Sequence, residues 1–242
     1  MLILGLETSS QAGSVALLDG GVGGAECDNV LSQRVLPDDR RSAQTLIPAI
    51  GQVLAEAGKR AADVGLVAVT VGPGSFTGLR VGVTAAKTFA YAAGCECLGV
   101  DTLEVIAAHV PVSARVGGEV HAVLDAQRKE LFLARFRWEG GELRRLADDC
   151  IVSASEWLSR LQPGFVVSGT GVNRLIDRLP AGVDAVDPAY RAPHAVTVGR
   201  VAWRHYQNGR RDDLWKLAPK YLRQSAAEEK VAEASTKAPS KK

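Results

Sequence analysis

The chain is poor in the residues that build metal and redox centres. Its four histidines, His109, His121, His194 and His205, are scattered, with no HxxxH or HExxH spacing, so no metal site is legible. No Ser-His-Asp or Cys-His set stands out either. Cys27, Cys95, Cys97 and Cys150 lack CxxC spacing and lie in apolar or strand-like surroundings, the pattern of reduced thiols in a cytosolic protein. Aromatics are only 5% of the chain, and the formal charge is only +2, which excludes a strong field over the whole molecule. Any nucleic-acid contact must come from a local patch or a partner. No run of about 18 apolar residues occurs, so no membrane span is expected. The N-terminal stretch has no basic region, and Glu7 interrupts its apolar run. It reads as a first strand, not a signal peptide.

Glycine, by contrast, is abundant, at 25 of 242 residues. One glycine turn organises the rest. Val69-Thr70-Val71-Gly72-Pro73-Gly74-Ser75-Phe76-Thr77-Gly78-Leu79-Arg80 begins as a β-branched apolar run and ends as the start of a small-residue helix. Strand, glycine turn and helix N-terminus in that order form an anion-binding device in principle. The stretch is neither a Walker A loop nor a GxGxxG fingerprint, so phosphate cradle and structural turn remain equally open. Arg80 could add positive charge near an anion. Gly78, Gly82, Ala86 and Ala90 recur every four residues and give the helix a face with almost no side-chain volume. Something must pack very close to it.

Before that turn, Leu2–Leu6, Ser14–Leu18 and a stretch within Ala25–Leu36 read as a three-stranded meander. Leu46, Ile50, Val53, Leu54 and Ala57 then mark one face of a helix over Ser42–Ala57, followed by a buried strand at Leu66–Val71. The glycine turn launches a helix over Phe76–Ala93, and Cys97–Val100 and a short helix to His109 follow. Pro111–Gly118 loses periodicity and is the expected boundary. Beyond it the order repeats. Val120–Asp125 and Glu130–Trp138 form a hairpin around Ala126-Gln127-Arg128-Lys129, and a third strand spans Leu143–Val152. After a short helix at Ser155–Leu161 and a strand at Phe165–Ser168, Gly169-Thr170-Gly171 opens another helix through Leu175 and Ile176. Thr197–Asn208 reads as a helix, and 226–242 as a disordered tail. The expected division is 1–110, 111–225 and the tail. Such a duplication is the architecture of the actin-like ATPase and sugar-kinase (ribonuclease H-like) α/β fold, with ligands in the cleft between two related lobes.

Three further stretches carry chemistry. Glu7-Thr8-Ser9-Ser10 offers a carboxylate and hydroxyls at the first hairpin turn, either a phosphate- and metal-facing turn or ordinary turn chemistry. Asp125–Glu130 is a charged turn, either solvated or a contact for a partner or substrate. Arg200–Arg223 interleaves seven cations with Trp203, Tyr206, Trp215 and Tyr221. That suits RNA contact, or a packed helix with a solvated basic side.

Together the blocks resemble the bacterial TsaB (YeaZ) family. The residues that carry the resemblance are Leu2–Ser9 with Ser14–Leu17, Gly72–Gly82, Leu124–Phe132, Gly169–Gly171 and Pro219–Arg223, in that order. The resemblance implies a two-lobed actin-like fold and a role in forming N6-threonylcarbamoyladenosine (t6A) at position 37 of tRNAs that read ANN codons. It implies a non-catalytic subunit that dimerises with and activates TsaD, the metal-holding transferase, with the ATPase TsaE joining and tRNA reached through the complex. Required cofactors are none, and residual ATP or ADP binding is an open question at a vestigial site of Glu7, Thr8, Ser9, Gly72, Gly74, Ser75, Arg80, Gly169 and Gly171. In the family the partner interface is a helical bundle of the first lobe. Mapped here it predicts Leu46, Ile50, Val53, Gly78, Gly82, Ala86 and Ala90 as contacts with TsaD or with a second copy. Glu7 stands where an aspartate is usual, and Ser42 where many members carry histidine. The alternatives from chemistry alone are an actin-fold ATPase or small-molecule kinase, and an RNA-binding module.

Overall fold

The computed structural model describes residues 1–21, 27, 29–38, 42–114 and 118–223. The expected tail at 226–242 lies outside them, as do the basic pair Arg40-Arg41 and residues 25, 26 and 28 of the expected third strand.

The stretches read as a meander at the start form strands β1 (Leu2–Glu7), β2 (Ser14–Asp19) and β3 (Asn29–Val35), paired antiparallel in chain order, the first two buried almost throughout. Helix α1 (Ser42–Glu56) leads to β4 (Val64–Gly72), which is buried and lies parallel to β1. Helix α2 (Phe76–Ala93) is capped by Ser75 and closed by left-handed Gly94 (φ 68°), and β5 (Glu96–Asp101) completes a sheet ordered β3-β2-β1-β4-β5. Asp101 Oδ1 then accepts from the amides of Leu103 (2.9 Å) and Glu104 (3.1 Å) and starts α3 (Thr102–Ala108).

The second half contains β6 (Glu119–Asp125), β7 (Glu130–Glu139), β8 (Glu142–Arg145), β9 (Cys150–Ser153), α4 (Ala154–Arg160), β10 (Val166–Ser168), β11 (Asp184–Ala185) and α5 (Ala195–Gln207). Its sheet runs β8-β7-β6-β10-β11. With β8 and β9, which both pair with β7, counted as one interrupted third strand, both sheets place their third, second, first, fourth and fifth strands side by side. This shared order is the duplicated actin-like α/β fold.

Two readings need correction. The strand expected over Leu143–Val152 is broken. β8 and β9 pair with successive stretches of β7, and 146–149 loops out between them. The helix expected after Gly169-Thr170-Gly171 is only a pair of 3₁₀ turns, Thr170–Arg174 and Ile176–Arg178. Gly169 sits at φ 107°, and Gly171 lies against the β6 backbone, so the chain hugs that strand and has no room for a full helix.

The layers follow from which faces are apolar. Leu46, Ile50 and Val53 of α1, with Val83, Ala86 and Ala90 of α2, cover one face of the first sheet. Ala195, Val198 and Val201 of α5 cover the other. Leu103, Ile106 and Ala107 of α3 cover the facing side of the second sheet, and Trp157 of α4 its outer side. Each such Leu, Ile or Val contributes roughly 1.5–3 kcal/mol on burial. Thus α5, grouped by sequence with the second half, belongs in space to the first sheet. Its N-terminus rests on β1 at Gly5, where a Cβ would lie 2.3 Å from the Ala195 carbonyl oxygen.

Candidate functional site in the cleft between the sheets

A cleft of about 980 Å³ opens between the two sheets. One wall carries Ser9, Ser10, Gly74 and Ser75, at the C-terminal ends of β1 and β4. The other carries Asp125, Arg128, Thr170 and Arg174, and Lys220–Arg223 lies along it. The fold therefore brings the first hairpin turn and the glycine turn together on one wall. The second-half copy, Gly169–Gly171, stands on the opposite wall.

The carboxylate of Glu7 is fully buried and fully engaged. Its Oε1 accepts from Ser9 N (2.6 Å), Ser9 Oγ (2.5 Å) and Ser10 N (3.1 Å), and its Oε2 from Ser10 Oγ (2.7 Å). Burial pushes its pKa up, while the four serine donors pull the other way. Glu7 thus folds its own turn, holding the cleft-lining Ser9 and Ser10 in place.

The glycine turn makes its close approaches to that same hairpin. Ser75 N donates to Ser9 O (2.8 Å), and Ser75 Oγ accepts from Gly78 N (3.2 Å). A Cβ on Gly74 would sit 2.5 Å from Ser9 O, one on Gly78 2.0 Å from Thr8 O, and one on Gly82 2.1 Å from Thr8 Oγ1. Two amides at the start of α2 are thus taken by protein oxygens, Ser75 N by Ser9 and Gly78 N by Ser75. Arg80 is held by two rings that line the cleft: its Nε donates to Tyr221 Oη (3.0 Å), and its guanidinium lies 4.0 Å from the Phe76 ring centroid. Gly72 is covered by the Lys220 carbonyl, 2.4 Å from its ideal Cβ position.

The predicted interface residues also need correction. Leu46, Ile50, Val53, Gly78, Gly82, Ala86 and Ala90 are all buried within the protomer. The small-residue face exists because α2 lies directly on Thr8, and the apolar stripe of α1 covers its own sheet. What these helices offer outward is Ile47 (59% exposed), Pro48, Gly51, Thr84, Thr88 and Tyr91 (70% exposed).

The basic C-terminal stretch is a strap. Asp212 accepts from Gly99 N (2.9 Å), Lys87 Nζ donates to the carbonyls of Trp215 (3.2 Å) and Leu217 (3.0 Å), and Lys220 N bonds Val71 O (2.6 Å). Arg223 then crosses to the second lobe and pairs with Glu130 and the Ala126 carbonyl. Most of these cations are spent inside the molecule, which favours the packed reading over the RNA patch. The charged hairpin it reaches holds three consecutive left-handed non-glycine residues, Gln127 (φ 62°), Arg128 (φ 52°) and Lys129 (φ 62°). Each costs on the order of 1 kcal/mol, so this turn is over-determined by its surroundings.

Sequence reasoning missed one cluster. Asp101, Arg145, Asp149 and Lys220 meet where β5, the 146–149 loop and the strap converge. Burial, with the hydrogen bond and charge of Asp149, pushes Asp101 up to about 6. Burial also raises Asp149, but hydrogen bonds from Asp101 and Lys220 and the charge of Arg145 outweigh it and leave it lowered. The Pro219–Arg223 block was visible in the sequence. The looped-out carboxylate was not.

Among the described residues, no group of three His, Cys, Asp or Glu is placed to hold a metal ion, and no helix is long and apolar enough to cross a membrane.

The family model for TsaD, tRNA N6-adenosine threonylcarbamoyltransferase, matches residues 29–231. The chain is 28% identical to the tRNA threonylcarbamoyladenosine biosynthesis protein TsaB of Escherichia coli over 240 residues, covering 96% of this chain and 98% of that protein. It is 28% identical to TsaB of Bacillus subtilis over 162 residues, 67% of this chain and 66% of that protein. Among solved structures, YeaZ from Pseudomonas aeruginosa superposes with a TM-score of 0.73 at 28% identity, over 91% of this chain and 99% of that one.

Proposed function

The chain belongs to the TsaD family of tRNA N6-adenosine threonylcarbamoyltransferases, in its TsaB (YeaZ) branch, and from that premise we propose that it is a non-catalytic subunit of tRNA threonylcarbamoyladenosine biosynthesis. In this reading it binds and activates TsaD in the cytoplasm for t6A formation at position 37 of tRNAs reading ANN codons. TsaE joins the assembly, and tRNA is met through it.

One observation carries the non-catalytic role. The carboxylate that would serve a nucleotide in an actin-like cleft is engaged by the chain's own hairpin, Glu7 by Ser9 and Ser10, and the glycine turn gives its Ser75 amide to Ser9 O. A group whose acceptors are all taken has little to offer a metal–phosphate complex.

The lobe of residues 1–110 is the partner-binding one, through the outward side of its helical layer. Ile47 and Tyr91 are large apolar side chains left in solvent there, and Tyr91 packs edge-on against Trp215, itself 73% exposed. Ile47→Glu and Tyr91→Glu change only exposed positions and should leave the fold intact. Each should sharply reduce co-purification with TsaD. Undiminished capture of TsaD by both folded variants would overturn this surface. Loss of a homodimer with TsaD capture retained would assign it to self-association instead.

A further inference from the structure

A second cavity, of about 350 Å³, lies in the second lobe beneath α4, on the far side of that sheet from α3. Nothing in the proposed function uses it. His121 on β6 is 3% exposed and lines it. The Trp157 indole Nε1–H has only a proton to give, and it donates to His121 Nδ1 at 3.1 Å. Nδ1 is therefore the acceptor, and the neutral ring carries its proton on Nε2. Burial, the largest influence, lowers the His121 pKa and favours that neutral form. Among the described residues, Nε2–H meets Glu119 Oε2 at a long 3.4 Å, and Glu119 is also engaged by Arg135 (3.6 Å) and Arg137 (3.4 Å). A donor in the cavity wall is thus under-used.

Two guanidiniums line the same cavity from different elements, Arg135 from β7 and Arg160 from α4. Their side chains are 44% and 67% exposed, so both can swing to an incoming anion, although Arg160 now pairs with Glu156. The apolar wall is aromatic: Phe165 stands 5.0 Å from the His121 ring, centroid to centroid, beside Trp157.

We propose that this cavity is a binding site for a small carboxylate with a flat apolar body. The carboxylate takes Arg135, Arg160 and the His121 Nε2–H, and the body lies against Phe165 and Trp157. Two lining carboxylates limit its affinity: Asp148 opposes the anion, and Glu119 must give up Arg135 and the His121 Nε2–H to it.

Benzoate is a probe of the right shape, and benzamide is its neutral control. In ¹⁵N-labelled full-length protein, the indole Nε1–H of Trp157, assigned with the Trp157→Phe variant, reports directly on the cavity. Benzoate should shift this resonance saturably with a Kd below 10 mM, and benzamide should not. The Arg135→Gln/Arg160→Gln double variant, altered only at exposed side chains, should weaken benzoate at least tenfold with an unchanged spectrum otherwise. Asp148→Asn should tighten it. No shift up to 10 mM, equal shifts with benzamide, or full affinity in the double variant would each overturn the proposal.

Discussion

Lys220 Nζ lies 2.5 Å from Asp149 Oδ2, a contact that ties the C-terminal strap of the first lobe to a loop of the second. The Asp149 side chain is only 1% exposed, so its charge depends on Lys220 and Arg145 for compensation. Lys220 is 46% exposed, which discounts the pair to about 1–2 kcal/mol. Lys220→Met should therefore raise amide hydrogen exchange of 210–223 by about tenfold and leave the β1 and β4 amides protected. Equal exchange in both proteins would show that the strap is held by its other contacts.

Stability should carry the signature of the neighbouring Asp101. Its pKa is about 6 in the folded chain, against about 3.9 for an unfolded aspartate. The native state therefore holds a proton that the unfolded chain has released, and between about pH 4 and pH 6 this group's contribution falls as pH rises. The change is on the order of 2 kcal/mol or less, because the proton is shared with Asp149. Asp101→Asn keeps the α3 cap and removes the titration. Urea unfolding at half-unit steps should show a flatter profile for the variant, and an unchanged slope would contradict the assignment.

Two glycine substitutions in neighbouring helices should act in opposite directions. Gly78→Ala drives a methyl into the Thr8 carbonyl, backbone that cannot yield, and should cost roughly 2–4 kcal/mol. Gly51 in α1 has nothing within 4 Å of its ideal Cβ position, so Gly51→Ala should stabilise by about 0.5–1 kcal/mol. Thermal unfolding of both variants decides it.

Glu7→Gln tests the saturated hairpin. It replaces one acceptor oxygen by an NH₂ facing serine donors, and should cost about 1–3 kcal/mol. Calorimetry of the unmodified chain with ATP·Mg²⁺ should give no heat of binding. Binding with turnover would restore the reading of an actin-fold ATPase or kinase.

The sequence made the strands and helices legible where one apolar run or one period ruled a whole element. The apolar run at Leu2–Leu6 and the four-residue spacing from Gly78 to Ala90 both became the elements they predict. The direction in which a face points was not legible. Leu46 and Ile50 mark an apolar stripe, but only the fold shows that their own sheet buries it, and that Ile47 remains outside. The Gly169 turn copies the first in spacing but not in outcome, because a carbonyl of β6 stands against it. Asp149 was invisible for a different reason. Its partners Asp101 and Lys220 are distant in the chain, and it lies in a loop that interrupts an edge strand whose pattern reads as continuous.

The central claim is that this chain serves tRNA threonylcarbamoylation through a partner, without an active site of its own. Reconstitution of the modification with purified TsaD, TsaE and tRNA, with and without this chain, tests it most directly. The account predicts t6A only when the chain is present, with product falling at least tenfold for Ile47→Glu and staying near wild type for conservative changes at Arg80. Full modification without the chain would contradict it.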